Sequence, residues 1–148
     1  MSKKLSYRGT LDIGLQDRIR LKTKQGKIGY KITKFQVINS APGTIDSQTV
    51  AKIFLTDQSA SVTPTIDFSD SDLLACVYQK TGNSGGDPVD NVIIFDNQLI
   101  NQDIFITVDD AVSNTTPINY YIELEVMSIS DLEATMLTLQ NIRQITSR

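Results

Sequence analysis

Apolar and polar positions alternate with a period of two through most of this chain, the signature of strands that bury one face and wet the other. Leu5, Tyr7, Leu11 and Ile13 share one phase; Gly9 interrupts that apolar face, where a bulge or bend is expected, and Gly14 closes the strand. Ile19 and Leu21 predict a short second strand, followed by a turn at Lys24-Gln25-Gly26-Lys27. Ile28, Tyr30 and Ile32 alternate next, and Phe35 and Val37 resume on the opposite phase. A slip of one residue exchanges the faces, so a bulge is predicted near Thr33-Lys34. Further strands are predicted at 50–55, 73–78, 92–95, 104–108 and 120–126. The run at 73–78 is apolar on both phases, as in a buried central strand. The last, with Tyr120, Ile122, Leu124 and Val126 against Tyr121, Glu123 and Glu125, is the clearest of all. Loop signals separate them at Ser40-Ala41-Pro42-Gly43-Thr44, 57–64, 81–88 and 109–117.

Only the C-terminus carries a helical period. Ser130-Asp131-Leu132-Glu133 is a capping box, in which the serine caps an amide and the glutamate reaches back. Leu132, Met136, Leu139 and Ile142 then fall on one face, with Leu137 and Ile145 nearly opposite. One stripe suffices to lay a helix on a sheet, so Leu137 and Ile145 are candidates for an interface. The expected architecture is a single domain over 1–148: an all-β, antiparallel sandwich or jelly-roll-like body in 1–129 with one α-helix over 130–146.

Composition narrows the chemistry. The chain has no histidine, no tryptophan and one cysteine, which removes histidine triads, histidine metal sites and intrachain disulfides. Thr, Ser, Asn and Gln are abundant, as suits strands with a wet face. No apolar run approaches the roughly 20 residues of a membrane helix, and the basic start lacks the apolar stretch of a secretory signal. Cys76 sits in an apolar run and reads as a small buried hydrophobe. The formal charge of −3 hides a split. Residues 1–35 hold ten Lys/Arg against Asp12 and Asp17, a net of +8; residues 36–148 hold four against fifteen Asp/Glu, a net of −11. Arg18, Arg20, Lys22, Lys24 and Lys27, with Lys31 and Lys34 beyond, recur at near-even spacing, which places many of them on one strand face. A basic stripe can neutralise phosphates, but nucleic-acid domains are usually basic overall and this chain is acidic. Contact with acidic protein surfaces is the favoured reading of that stripe, and neither nucleic acid nor membrane is expected as a partner.

No constellation carries a catalytic reading. Asp67-Phe68-Ser69-Asp70-Ser71-Asp72 has carboxylates two apart but lacks the glycine and distant glutamate of a calcium loop, and Asp-Ser-Asp is ordinary turn chemistry. Glu123 and Glu125 could approach the separation of a glycosidase pair, yet a solvated outer face, paired with lysines of the basic segment, is the expected arrangement. Gly82-Asn83-Ser84-Gly85-Gly86 has neither the helix nor the lysine of a phosphate loop. Asn114-Thr115-Thr116 is a chance-level glycosylation triplet. No cofactor, no metal and no enzymatic activity are expected.

Tyr7-Arg8-Gly9-Thr10-Leu11-Asp12-Ile13-Gly14 at the front, and Tyr120-Tyr121-Ile122-Glu123-Leu124-Glu125-Val126 running into residues 130–148, give the chain a style that resembles small virion structural proteins of tailed bacteriophages. The resemblance spans the chain but has no diagnostic motif, and no site residue carries over. It implies a capsid decoration or cement protein, docked on the major capsid protein or another virion protein. Such a protein is often a symmetric oligomer, here a homotrimer, and would be assembled in the host cytoplasm and located on the virion. The alternatives are another virion component (tail, adaptor or head fibre), or a ligand- or carbohydrate-binding β-sandwich.

Overall fold

The strand that alternation marks most clearly becomes β8 (Ile118–Ser128), the middle strand of the smaller of two sheets. It lies antiparallel to β1 (Lys3–Leu11) on one side and β3 (Ile28–Asn39) on the other. The larger sheet runs in the order β2 (Leu15–Ile19), β7 (Ile104–Asp110), β4 (Ser47–Phe54), β5 (Leu73–Thr81), β6 (Val89–Ile94), again all antiparallel. This is a computed structural model that describes residues 3–21, 28–42, 46–81, 89–95, 99–112 and 115–128. Among the described residues the chain is all-β. The predicted helix over 130–146, with Leu137 and Ile145, lies outside them.

The two sheets share one apolar core in a sandwich-like arrangement. Phe35, Ile122 and Leu124 of the smaller sheet join Ile53, Ile104 and Ile106 of the larger, all at most 1% exposed. Burying a side chain of this size contributes about 1.5–3 kcal/mol, so the alternation that places these residues inward is the main source of the fold. The register of β3 on β8 passes from Ile32↔Leu124 directly to Lys34↔Glu123, so Thr33 is the extra residue of the expected bulge. The bulge turns Phe35 and Val37 inward after Ile32.

Gly9 departs from expectation. The chain does not bulge there: β1 keeps an unbroken register through Gly9↔Tyr120. The glycine is required for space, because a Cβ at this position would lie 2.7 Å from the Tyr120 hydroxyl oxygen. Gly14, at φ +84°, makes the left-handed turn that takes the chain from β1 in one sheet to β2 in the other. The run at 73–78 lies inside the larger sheet as expected. Leu73 through Val77 are buried on both faces, because residues 55–72 fold back across the outer side.

Candidate interaction surfaces

The outer face of the smaller sheet is built in cross-strand rows. Lys4, Glu125 and Lys31 form one row; Ser6, Glu123 and Lys34 the next; then Arg8, Tyr121 and Gln36; then Thr10, Asn119 and Ile38. Directly opposed side chains in such rows stand about 4.5–5.5 Å apart and interact. Glu125 is therefore flanked by lysines from both neighbouring strands, whereas Glu123 has Lys34 on one side and is reached by Lys4 from the adjacent row. Lys4 Nζ lies 3.4 Å from Glu123 Oε1, and the Tyr121 hydroxyl donates to Glu123 Oε2 at 3.2 Å. The Lys4 contact, helped by the Tyr121 hydroxyl and the charge of Lys34, holds the Glu123 carboxyl below its ordinary range. The carboxylate pair noticed in the sequence is part of a charge ladder with lysines of the basic segment.

At the far end of this face the ladder gives way to a hollow of about 500 Å³, lined by Arg8, Thr10, Gln36, Ile38, Asn119 and Tyr121, with Gly9 and Tyr120 at its floor. Ile38 is 61% exposed there. Thr10 Oγ1 donates to Asn119 Oδ1 at 2.6 Å and fixes that amide. The Arg8 guanidinium makes no ion pair among the described residues. A wet rim of amides and a guanidinium around apolar surface is the usual anatomy of a recognition patch. Alternation along β8 puts Tyr121 on the outer face, but the hollow it lines has walls from three strands and leaves no mark in any one of them.

The basic segment is divided between the sheets. Lys31 and Lys34 stand on the outer face of the smaller sheet, whereas Arg18 lies on β2 of the larger one. Arg18 therefore stands on a different layer from Lys31 and Lys34. Arg18 donates from Nε to Asp103 Oδ2 at 2.8 Å and lies 5.8 Å over the Phe105 ring. Asp103 also accepts from the Leu21 amide, so this arginine clips β2 to the start of β7. Arg20 is exposed. Lys22, Lys24 and Lys27 lie outside the described residues.

One group was missed altogether. Lys52, in the middle of β4, is only 5% exposed. It lies on the outer side of the larger sheet beneath residues 55–72, where its Nζ donates to the Thr65 carbonyl at 2.6 Å and sits 5.4 Å from the Phe54 ring centroid. Burial lowers its pKa, opposed by the charges of Asp109 and Asp70. A cavity of about 180 Å³ adjoins it. The available signal was the run Val50-Ala51-Lys52-Ile53-Phe54, apolar on both phases except for this lysine.

The aspartates above it act as turn formers. Asp67 accepts from the Ser69 amide at 2.9 Å and from its hydroxyl at 2.6 Å, Asp70 accepts from the Asp72 amide, and the buried Asp72 accepts from Thr56. Cys76 is buried as expected, and burial pushes its thiol pKa up, opposed by the charge of Lys52. A buried, protonated thiol is a poor nucleophile. Neither a scan against protein-family models nor a search of curated proteins finds a match for this chain.

Proposed function

We propose that this chain is a non-enzymatic virion structural protein, a decoration or cement protein that binds the outer surface of a phage head and stabilises it. The observation that carries this reading is the outer face of the smaller sheet, where lysines and glutamates alternate across three strands and end in the Arg8–Tyr121–Ile38 hollow. Charged rows of this kind orient a partner. The strand order supports the same reading. β1 pairs with β8, β2 with β7 and β4 with β5, the nesting of a long hairpin rolled on itself. β3 and β6 touch without pairing. This order supports reading the body as jelly-roll-like, a fold used by viral capsid and lectin domains. Fold does not fix function; the charged outer face is what selects a partner.

The partner is the major capsid protein or another virion protein, and copies of the chain associate, as a trimer in the favoured form. A tail, adaptor or head-fibre position would use the same face. Co-sedimentation with phage heads tests the reading: the wild-type chain travels with the particles, and Lys4→Glu with Lys34→Glu lowers its occupancy. Raising ionic strength well above about 0.15 M releases it through screening. A chain that never co-sediments overturns the proposal.

A second reading rests on Tyr121, which lies half-exposed on the outer face and not in the core. With Arg8, Gln36 and Asn119 around it, the hollow has the polar groups and ring of a carbohydrate subsite. Glycan-array binding that is lost on Tyr121→Ala would support it, and silence on the array would end it.

A further inference from the structure

We infer that copies of this chain associate head to tail, the Phe68 corner of one copy seated in the Arg8–Tyr121–Ile38 hollow of the next. This rests on the self-association in the function proposed above and is independent of the virion. The two outer faces of the fold differ in charge. On the smaller sheet Lys4, Arg8, Lys31 and Lys34 outnumber Glu123 and Glu125. On the other side, Asp67, Asp70 and Asp109 stand around Lys52, which is buried beneath the loop.

Out of that acidic side projects Phe68, 57% exposed, with its ring edge-on to Phe95 at a centroid distance of 5.3 Å. The packing against Phe95 braces the ring, so little freedom is left to lose on binding. Asp67 precedes it. The Ser69 amide and hydroxyl both donate to its Oδ1, and Oδ2 has no hydrogen bond among the described residues. The Ser69 hydroxyl and amide also hold this carboxyl below its ordinary range, so it is ionised at neutral pH.

The hollow has the complementary parts. Ile38 and Tyr121 offer apolar surface for a ring, and the Arg8 guanidinium, without an ion pair among the described residues, suits a carboxylate beside that ring. An aromatic anchor in a pocket, with a charged pair beside it, is how interfaces concentrate their binding energy. Knob and hollow occupy opposite outer faces, so the contact is heterologous. It closes into a ring or runs on as a stack.

Sedimentation velocity on the full chain tests this. Wild-type protein self-associates, and Arg8→Glu or Asp67→Lys alone weakens association about a hundredfold, as like charges facing each other should. Phe68→Ser weakens it as well. Melting curves confirm that each variant stays folded, as expected for exposed positions. The double variant, Arg8→Glu with Asp67→Lys, regains association, and so does a mixture of the two single variants. A monomeric wild type, an Arg8→Glu protein that associates as wild type does, or a double variant that stays dissociated each overturns the inference. So does a monomer that binds glycans through Tyr121. Self-association that survives while particle binding is absent would sink the virion reading and leave this one standing.

Discussion

The Tyr120 hydroxyl donates a hydrogen bond to Asp17 Oδ2 at 2.8 Å, joining the middle strand of the smaller sheet to the edge strand of the larger. The two residues are 103 positions apart, and the ring between them fills the space that Gly9 leaves open. Tyr120→Phe keeps the ring and removes the bond, leaving a half-buried carboxylate without this donor. The expected cost is about 1 kcal/mol in urea unfolding. Burial, with the Asp17 contact second, raises the Tyr120 pKa above the ordinary 10.0. The proton is then held more tightly in the folded state. This contribution is complete below pH 10 and is lost as pH rises above it. The wild type should therefore lose its advantage over Tyr120→Phe in alkali.

Gly9→Ala should destabilise the chain by about 1–3 kcal/mol, the usual cost of forcing an extra methyl group into occupied space. The new Cβ would meet the Tyr120 hydroxyl oxygen at 2.7 Å and the ring carbon bearing it at 2.9 Å. Because both substitutions act on one contact, Gly9→Ala and Tyr120→Phe should not add. Additive costs in chemical denaturation would show that Gly9 matters for another reason.

Deleting Thr33 should be tolerated. The bulge inserts this residue between inward Ile32 and outward Lys34, so its removal restores plain alternation and leaves every later side chain on its present face. The loss is the bond from its hydroxyl to the Glu123 carbonyl. Deleting Gln36 instead would send Val37 outward and should abolish folding. Circular dichroism of the two deletions distinguishes them.

Lys4→Ala should raise the Glu123 pKa towards its ordinary 4.5, because the Lys4 contact is the main reason for its depression. In the wild type this contribution to stability is present above pH 4.5 and fades as pH falls through the depressed value. An NMR titration of the carboxyl carbon checks the shift, and an unmoved value would show that Tyr121 and Lys34 suffice.

Lys52→Met replaces a buried charge with a side chain of similar length. Since burial lowers the Lys52 pKa from 10.5, the folded state resists its protonation, and the wild type gains stability as pH rises towards that value. Any advantage of the methionine variant should therefore be largest near neutral pH and shrink towards pH 10. Thermal melts across that window measure it.

How much of this could be read from residues alone depends on the question asked. Alternation identified the inward face of β8, the phase slip between Ile32 and Phe35 located the bulge, and apolar neighbours marked Cys76 as buried. Each is a local property. Pairing is not: Thr10 meets Asn119 across 109 positions, and alternation states a face without naming a neighbour. For the same reason the hollow was invisible, since Arg8, Tyr121 and Gln36 come together only once three strands align. At Gly9, a gap in an apolar face reads alike whether the backbone bulges or a ring leans over it. At Lys52, a lysine in a strand reads as solvated, and only the return of residues 55–72 over the sheet reverses that. Leu137 and Ile145 lie outside the described residues.

The nested strand order has a consequence for how the chain comes into being. β1 and β3 both wait for β8, so on the ribosome each emerges with bare edges and no sheet to join. Contacts between remote positions make folding slow, and exposed edges in the interval invite wrong partners. β1 and β3 must therefore persist unpaired until β8 has been made, and concentration and chaperone supply during synthesis should govern yield more than the stability of the finished fold.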